Sequence, residues 1–192
     1  LEELVTTAAI DNSSGVYCSG HEVNINILLN GVVSDGEMTV KQRDKLLAEM
    51  TDDVAALCLR DNTFQNQVLG VTRVQAASLL DEQSRYMRRL VQVGRLNRDI
   101  EFLPSDDLMA ERRQAGKGLT SPELAVLLAY HKMELFDDVL ASDVPEDPYI
   151  VTTLERYFPE RLRKAYHAQI HRHPLKREII ATHVVNSMVN RV

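Results

Sequence analysis

Gly118-Leu119-Thr120-Ser121-Pro122-Glu123-Leu124-Ala125-Val126-Leu127-Leu128-Ala129-Tyr130 contains the clearest helix start in the chain. Thr120 and Glu123 have the spacing of a capping box, in which each side chain satisfies a backbone N–H near the other. Pro122 falls in the first turn, where a missing N–H costs nothing. The helix that opens here carries Leu124, Leu127, Leu128, His131, Leu135 and Val139 on one face, the stripe of an amphipathic helix. His131 interrupts that stripe and reads as a hydrogen-bonded core histidine. Ser142-Asp143-Val144-Pro145 breaks the helix.

The same pattern extends in both directions. Upstream, helical periodicity is expected over 39–69, with Leu46, Met50, Val54 and Leu57 inward, and over 71–96, with Val74, Ala77, Leu80, Ser84, Met87 and Val91 inward. Gly70 offers the break between them. A short helix over 107–115 stops at Gly116-Lys117-Gly118. Downstream, short helices are expected near Tyr149–Tyr157 and over 159–171, and a last one follows Pro174 with Ile179, Ile180, Val184 and Met188 inward. Residues 1–36 differ. Asn12-Ser13-Ser14-Gly15, Ser19-Gly20, Asn30-Gly31 and Ser34-Asp35-Gly36 read as turns, with Ser19 capping a helix and Glu22 reciprocating. The fold class expected is mainly α: a multi-helix domain over 31–192 behind a short non-helical lead over 1–30.

Composition bounds the function. The 192 residues are 44% hydrophobic and 26% charged, without Trp, as in a soluble globular protein with an aliphatic core. A chain of this length buries roughly 70% of the surface its unfolded form exposes. The net charge of −6 argues against nucleic acid, whose phosphates call for a basic excess. No run approaches the ~20 apolar residues of a membrane span. Cys18 and Cys58 have no metal or disulfide spacing, which points to a reducing cytoplasm. The chain begins with Leu1, so a piece of something longer is expected.

Other candidates for chemistry read blandly. His167 and His171 share a helix face, but a zinc-protease motif needs Glu where Ala168 stands. Solvated surface histidines are expected there and at His173, with no metal. Arg85, Arg88, Arg89, Arg95 and Arg98 form the most basic run and read as a charged face paired with Asp81 and Glu82. Adjacent carboxylates such as Asp52-Asp53 diverge on a helix and cannot work as an acid–base pair. There is no G-x-G-x-x-G after a strand.

Asp11-Asn12-Ser13-Ser14-Gly15-Val16-Tyr17-Cys18-Ser19-Gly20-His21-Glu22 resembles the N-A-G-G-V-x-x-S-x-x-E segment of glutamate dehydrogenases. Its continuation through Val23-Asn24-Ile25 to Leu29 is similar to the version in the very large bacterial NAD-specific enzymes. Leu103-Pro104-Ser105-Asp106, the 118–130 stretch above and Leu175-Lys176-Arg177-Glu178-Ile179-Ile180-Ala181-Thr182 resemble the same proteins. The resemblance implies that residues 1–30 are the edge of a Rossmann-type catalytic domain. It implies that Ser19 helps hold the side-chain carboxylate of L-glutamate, that Val16 lines the substrate pocket, and that Asn12 lies near the nicotinamide of NAD. Ser14 and Gly20 depart from the family pattern, which has glycine at the first position and often aspartate at the second. The family's catalytic lysine and aspartate lie upstream of the matched segment, so no catalytic residue is expected here and the chain is expected to be inactive alone. Its partners would be the upstream catalytic domain, L-glutamate and further copies of itself. The alternative is a helical regulatory or oligomerisation module, which an exposed apolar patch would mark.

Overall fold

The computed structural model describes residues 13–190, and all regular structure among them is helical. The helices are α1 (Ser13–Ser34), α2 (Val40–Glu49), α3 (Thr51–Val74), α4 (Leu80–Gln92), α5 (Asp106–Gln114) and α6 (Ser121–Ala141), then a 3-10 turn (Val144–Glu146), α7 (Pro148–Val151), α8 (Thr153–Tyr157), α9 (Glu160–Ala165), α10 (His167–His171) and α11 (Lys176–Val189). The mainly α expectation holds. The chain divides into two compact units, one over 65–133 and one combining 13–64 with 134–190.

The largest correction is α1. The turns expected at Asn12–Gly15, Ser19-Gly20 and Asn30-Gly31 lie, from Ser13 onward, inside one helix, so Ser19 is a mid-helix residue rather than a cap. Burial explains this. Ile25, Leu28, Leu29 and Val32 are each at most 3% exposed, at helical spacing. Each contributes roughly 1.5–3 kcal/mol by leaving water. That outweighs the ~1 kcal/mol that each helical glycine costs, here Gly15, Gly20 and Gly31. The Ser34–Gly36 turn is present, with Glu37 N–H donating to Val32 C=O (3.1 Å).

Caps set the other boundaries. Thr39 and Gln42 form a reciprocal capping box at the start of α2. The helix expected over 39–69 is two, divided at Met50, which is itself buried. Gly70 does not interrupt α3, which runs on to Val74. Within the 65–133 unit, α4 and α5 both end in a Schellman arrangement. Arg95 N–H reaches Leu90 C=O (2.9 Å) around Gly94 at φ +72°, and Lys117 N–H reaches Arg112 C=O (2.8 Å) around Gly116 at φ +64°. Only glycine takes such a φ freely. Ser105 accepts from Leu108 N–H (3.3 Å) at the start of α5.

Each unit has its own core. Leu69, Leu80, Met87, Leu90, Met109, Leu119, Leu124 and Leu127 fill the 65–133 unit. Of the face expected on α4, Leu80, Ser84 and Met87 are buried, but Val74 before it is 88% exposed, and Leu90 rather than Val91 points inward. His131 is exposed and meets Tyr86 edge-on at 5.9 Å, so it is not a core histidine. In the other unit Ile25, Leu28, Leu29 and Met50 pack with Leu154, Phe158, Leu162, Ile170, Ile179 and Ile180. Among the described residues no helix is long and apolar enough to cross a membrane.

Candidate functional site

The unit built from 13–64 and 134–190 contains a cavity of about 500 Å³, lined by α1, α3, α8 and α11. His21 is 2% exposed and stacks on Tyr157 with ring centroids 4.3 Å apart. Asn24, one turn later on α1, donates to the Tyr157 hydroxyl (2.8 Å) and to Gly20 C=O (3.0 Å). A Cβ on Gly20 would stand 3.7 Å from that hydroxyl, an ordinary van der Waals contact. His21 Nδ1 and Asn24 Oδ1 are buried without a protein partner, which leaves a donor or acceptor site at each for something bound.

Across the cavity, Arg60 makes two hydrogen bonds to Asp61 Oδ1 (2.9 and 3.0 Å). His21 Nε2 lies 3.9 Å from the other carboxylate oxygen, an ion-pair distance rather than a hydrogen bond. Burial pushes the Asp61 carboxyl up, but the His21 and Arg60 side chains outweigh it and hold it below its ordinary range. Burial drives Tyr17 up to about 12, with help from the Asp61 charge. Tyr157 is raised for the same first reason. His183 is lowered, first by burial and then by the charges of Arg60 and Arg156. The two cysteines are free; burial and a hydrogen bond with Cys18 push Cys58 up to about 12. Near neutral pH the phenols and this thiol are therefore protonated. The cavity offers hydrogen bonds, two guanidinium groups and two carboxylates, Asp61 and Glu178, and among the described residues no lysine lines it. Its chemistry is that of binding and orienting.

The residues singled out by sequence fall unevenly. Val16 lines the mouth of this cavity and is 59% exposed. Ser19 is exposed on α1 and does not line it. Asn12 lies outside the described residues. His21, Asn24, Asp61, Tyr157 and His183 were missed. Their partners sit up to 133 positions away in sequence, and no local spacing announces them.

One other histidine reading changes. His173 is 3% exposed, not a solvated surface ring. Its Nε2 faces Asn24 C=O and its Nδ1 accepts from Leu175 N–H, each at 3.1 Å. His167 and His171 do share a face, and Glu155 of α8 lies against both. In the arginine run Arg85 pairs with Glu82 as expected, but Arg88 and Arg98 pair with Asp106, and Asp81 pairs with Arg113.

A dinucleotide fold holds its pyrophosphate where a strand turns into a helix. The described residues include no strand and do not fit that group. In class, then, the described residues are an all-helical region that contains a cavity, without the strand-to-helix turn of a dinucleotide site.

Comparison with known proteins places that region. The pattern described as bacterial NAD-glutamate dehydrogenase, catalytic domain, matches residues 2–72, and that described as glutamate dehydrogenase, C-terminal, matches residues 116–192. Similar proteins include the NAD-specific glutamate dehydrogenases of Halomonas elongata and Pseudomonas aeruginosa, each 47% identical over 186 residues, and that of Mycobacterium tuberculosis, 45% identical over 186. Each alignment covers 97% of this chain and 12% of the relative. The chain belongs to the bacterial NAD-specific glutamate dehydrogenase family.

Proposed function

We propose that this chain is the carboxy-terminal part of an enzyme that oxidatively deaminates L-glutamate to 2-oxoglutarate and ammonium, with NAD accepting the hydride. The observation that carries the reading is 45–47% identity, along nearly the whole chain, to relatives named for that specificity. NAD, the catalytic lysine and the catalytic aspartate belong to the part of the enzyme upstream of α1. The boundary between catalytic and helical domains falls near residue 30. Val16 and Ser19 supply one wall of the substrate site, and Asn12 approaches the nicotinamide.

The placement of α1 supports this role. Its inward face is occupied by Ile25, Leu28, Leu29 and Val32, whereas Val16 and Ser19, one turn apart, are exposed and free to meet another part of the enzyme. The free cysteines fit a reducing cytoplasm. In the 65–133 unit, Val93, Ile100 and Phe102 are 57–90% exposed, which supports an assembly role for the helical part beside its catalytic one.

The test is NADH formation from L-glutamate by the complete enzyme, by its Ser19→Ala variant and by this chain alone. A hydrogen bond to a charged carboxylate contributes ~1.5–3 kcal/mol. Its loss should raise the glutamate KM by roughly 10–100-fold, with a smaller change in kcat. The isolated chain should be silent. A complete enzyme indifferent to glutamate overturns the activity, and an unchanged KM removes Ser19 from the substrate wall.

A further inference from the structure

Glu155 on α8 and His167 and His171 on α10 bring three ligand atoms within 4.8 Å of one another. Both imidazole Nε2 atoms stand 3.0 Å from the same carboxylate oxygen, Oε1 of Glu155. The rings lie with centroids 4.6 Å apart, tilted by 41°. We propose that these three side chains hold a Zn2+ ion, with water as its fourth ligand, which clips α8 to α10.

The geometry suits that ion. Zinc binds imidazole nitrogen and carboxylate oxygen at about 2.0–2.2 Å in a tetrahedron, so neighbouring ligand atoms sit on the order of 3.3–3.5 Å apart. Both carboxylate–imidazole separations, 3.0 Å, are close to that spacing. Two imidazoles with one carboxylate favour zinc and its first-row neighbours over Mg2+ or Ca2+, which prefer all-oxygen shells. Three protein ligands leave the fourth position open.

The backbone beneath the cluster is already fixed. Leu154, next to Glu155, and Ile170, next to His171, are both fully buried in one core with Phe158 and Leu162. The ligands therefore stand on anchored turns, and binding does not have to order them. Glu155 is exposed enough for an ion to enter, with one third of its side chain open. Without the ion the same groups make a self-consistent carboxylate–imidazole cluster, so the fold does not depend on metal. The ion adds a closure across the twelve positions that separate Glu155 from His167.

The test uses the 192-residue chain freed of metal by a chelator, titrated with zinc chloride by calorimetry and with Co2+ by visible absorption. One zinc per chain, a cobalt spectrum with nitrogen and oxygen ligands only, and a melting temperature that climbs with zinc are expected. Glu155→Gln, close in shape, and His171→Ala should each weaken binding by more than the 10–100-fold typical for losing an outer partner. His131→Ala, exposed and elsewhere, should bind as the parent does. Affinity should fall as pH drops, because protons compete with the metal for the ligands. Circular dichroism of both ligand variants separates loss of the site from loss of the fold. If His171→Ala unfolds, Glu155→Gln still decides. Absence of stoichiometric binding, or ligand variants that bind normally, overturns the proposal. So does a thiolate-to-cobalt charge-transfer band, which moves the ion to Cys18 and Cys58, or one zinc per two chains, which moves it between copies.

Discussion

Glu123 caps a helix and anchors an ion pair with the same carboxylate. Its Oε2 accepts Thr120 N–H (2.7 Å), and its two oxygens take both terminal nitrogens of Arg112 (2.6 and 2.9 Å). Both side chains are under 20% exposed. Burial alone would raise this carboxyl; the Arg112 and Thr120 hydrogen bonds outweigh it and lower the folded value below the ordinary 4.5. The stabilisation is therefore fully present above about pH 4.5 and is lost as pH falls through the folded value. Glu123→Gln should cost about 1–3 kcal/mol at pH 7 and flatten the acid limb of a stability–pH curve. An acid limb unchanged in the variant would show that the pair contributes nothing. His173 carries the opposite kind of group. Burial lowers its value below the ordinary 6.5, and its Nδ1 is already committed to accepting from Leu175. The unfolded chain thus binds the proton first, and stability should decline as pH falls below about 6.5, with His183 adding to the slope. His173→Gln should lessen that slope in chemical denaturation at pH 5.5 and 7.5. Thr120 and Glu123 were legible because both partners lie within one turn. His131 and His173 were read the wrong way round, one as core and one as surface, because neighbours distant in sequence decide which ring is covered.

Glycine tests the elements. Gly118 precedes α6, and a Cβ there would run into the backbone carbonyl and Cβ of Ala76. Backbone cannot move aside cheaply, so Gly118→Ala should destabilise by at least ~1–3 kcal/mol. For a protein of this size that lowers the melting temperature by roughly 2–4 °C per kcal/mol. Gly31 is the control. It is helical, exposed, and has nothing within 4 Å of a would-be Cβ. Gly31→Ala should raise stability by ~0.5–1 kcal/mol. A neutral Gly118→Ala would mean that the approach to Ala76 is loose. The helices with strong local signals, α5 and α6, were read to within a residue. α1 was not, because its Ser, Asn and Gly content argues for turns while its apolar residues argue for helix, and partners more than a hundred residues later settle the contest. Nor was the end of α4: its pattern continues past Gly94, but the left-handed glycine stops it.

At the scale of the molecule, mainly α character and family were both readable, the first from periodicity and the second from short motifs spread along the chain. The cavity was not, since α1, α3, α8 and α11 each contribute only a few of its residues. The two units differ in how their residues are distributed. Among the described residues, one core draws on a continuous stretch, from Leu69 to Leu127. The other joins Ile25, Leu28 and Leu29 to Ile170, Ile179 and Ile180. That difference sets an order of birth. At the roughly 5–20 residues per second of synthesis, the 145 positions between Ile25 and Ile170 take on the order of seven to thirty seconds. Over that interval the apolar face of α1 has emerged from the ribosome with its partners beyond Met50 still unmade, while the described core of the continuous unit is complete once Leu127 is added. The split unit is the one that must wait, its α1 face uncovered until α10 and α11 have been made.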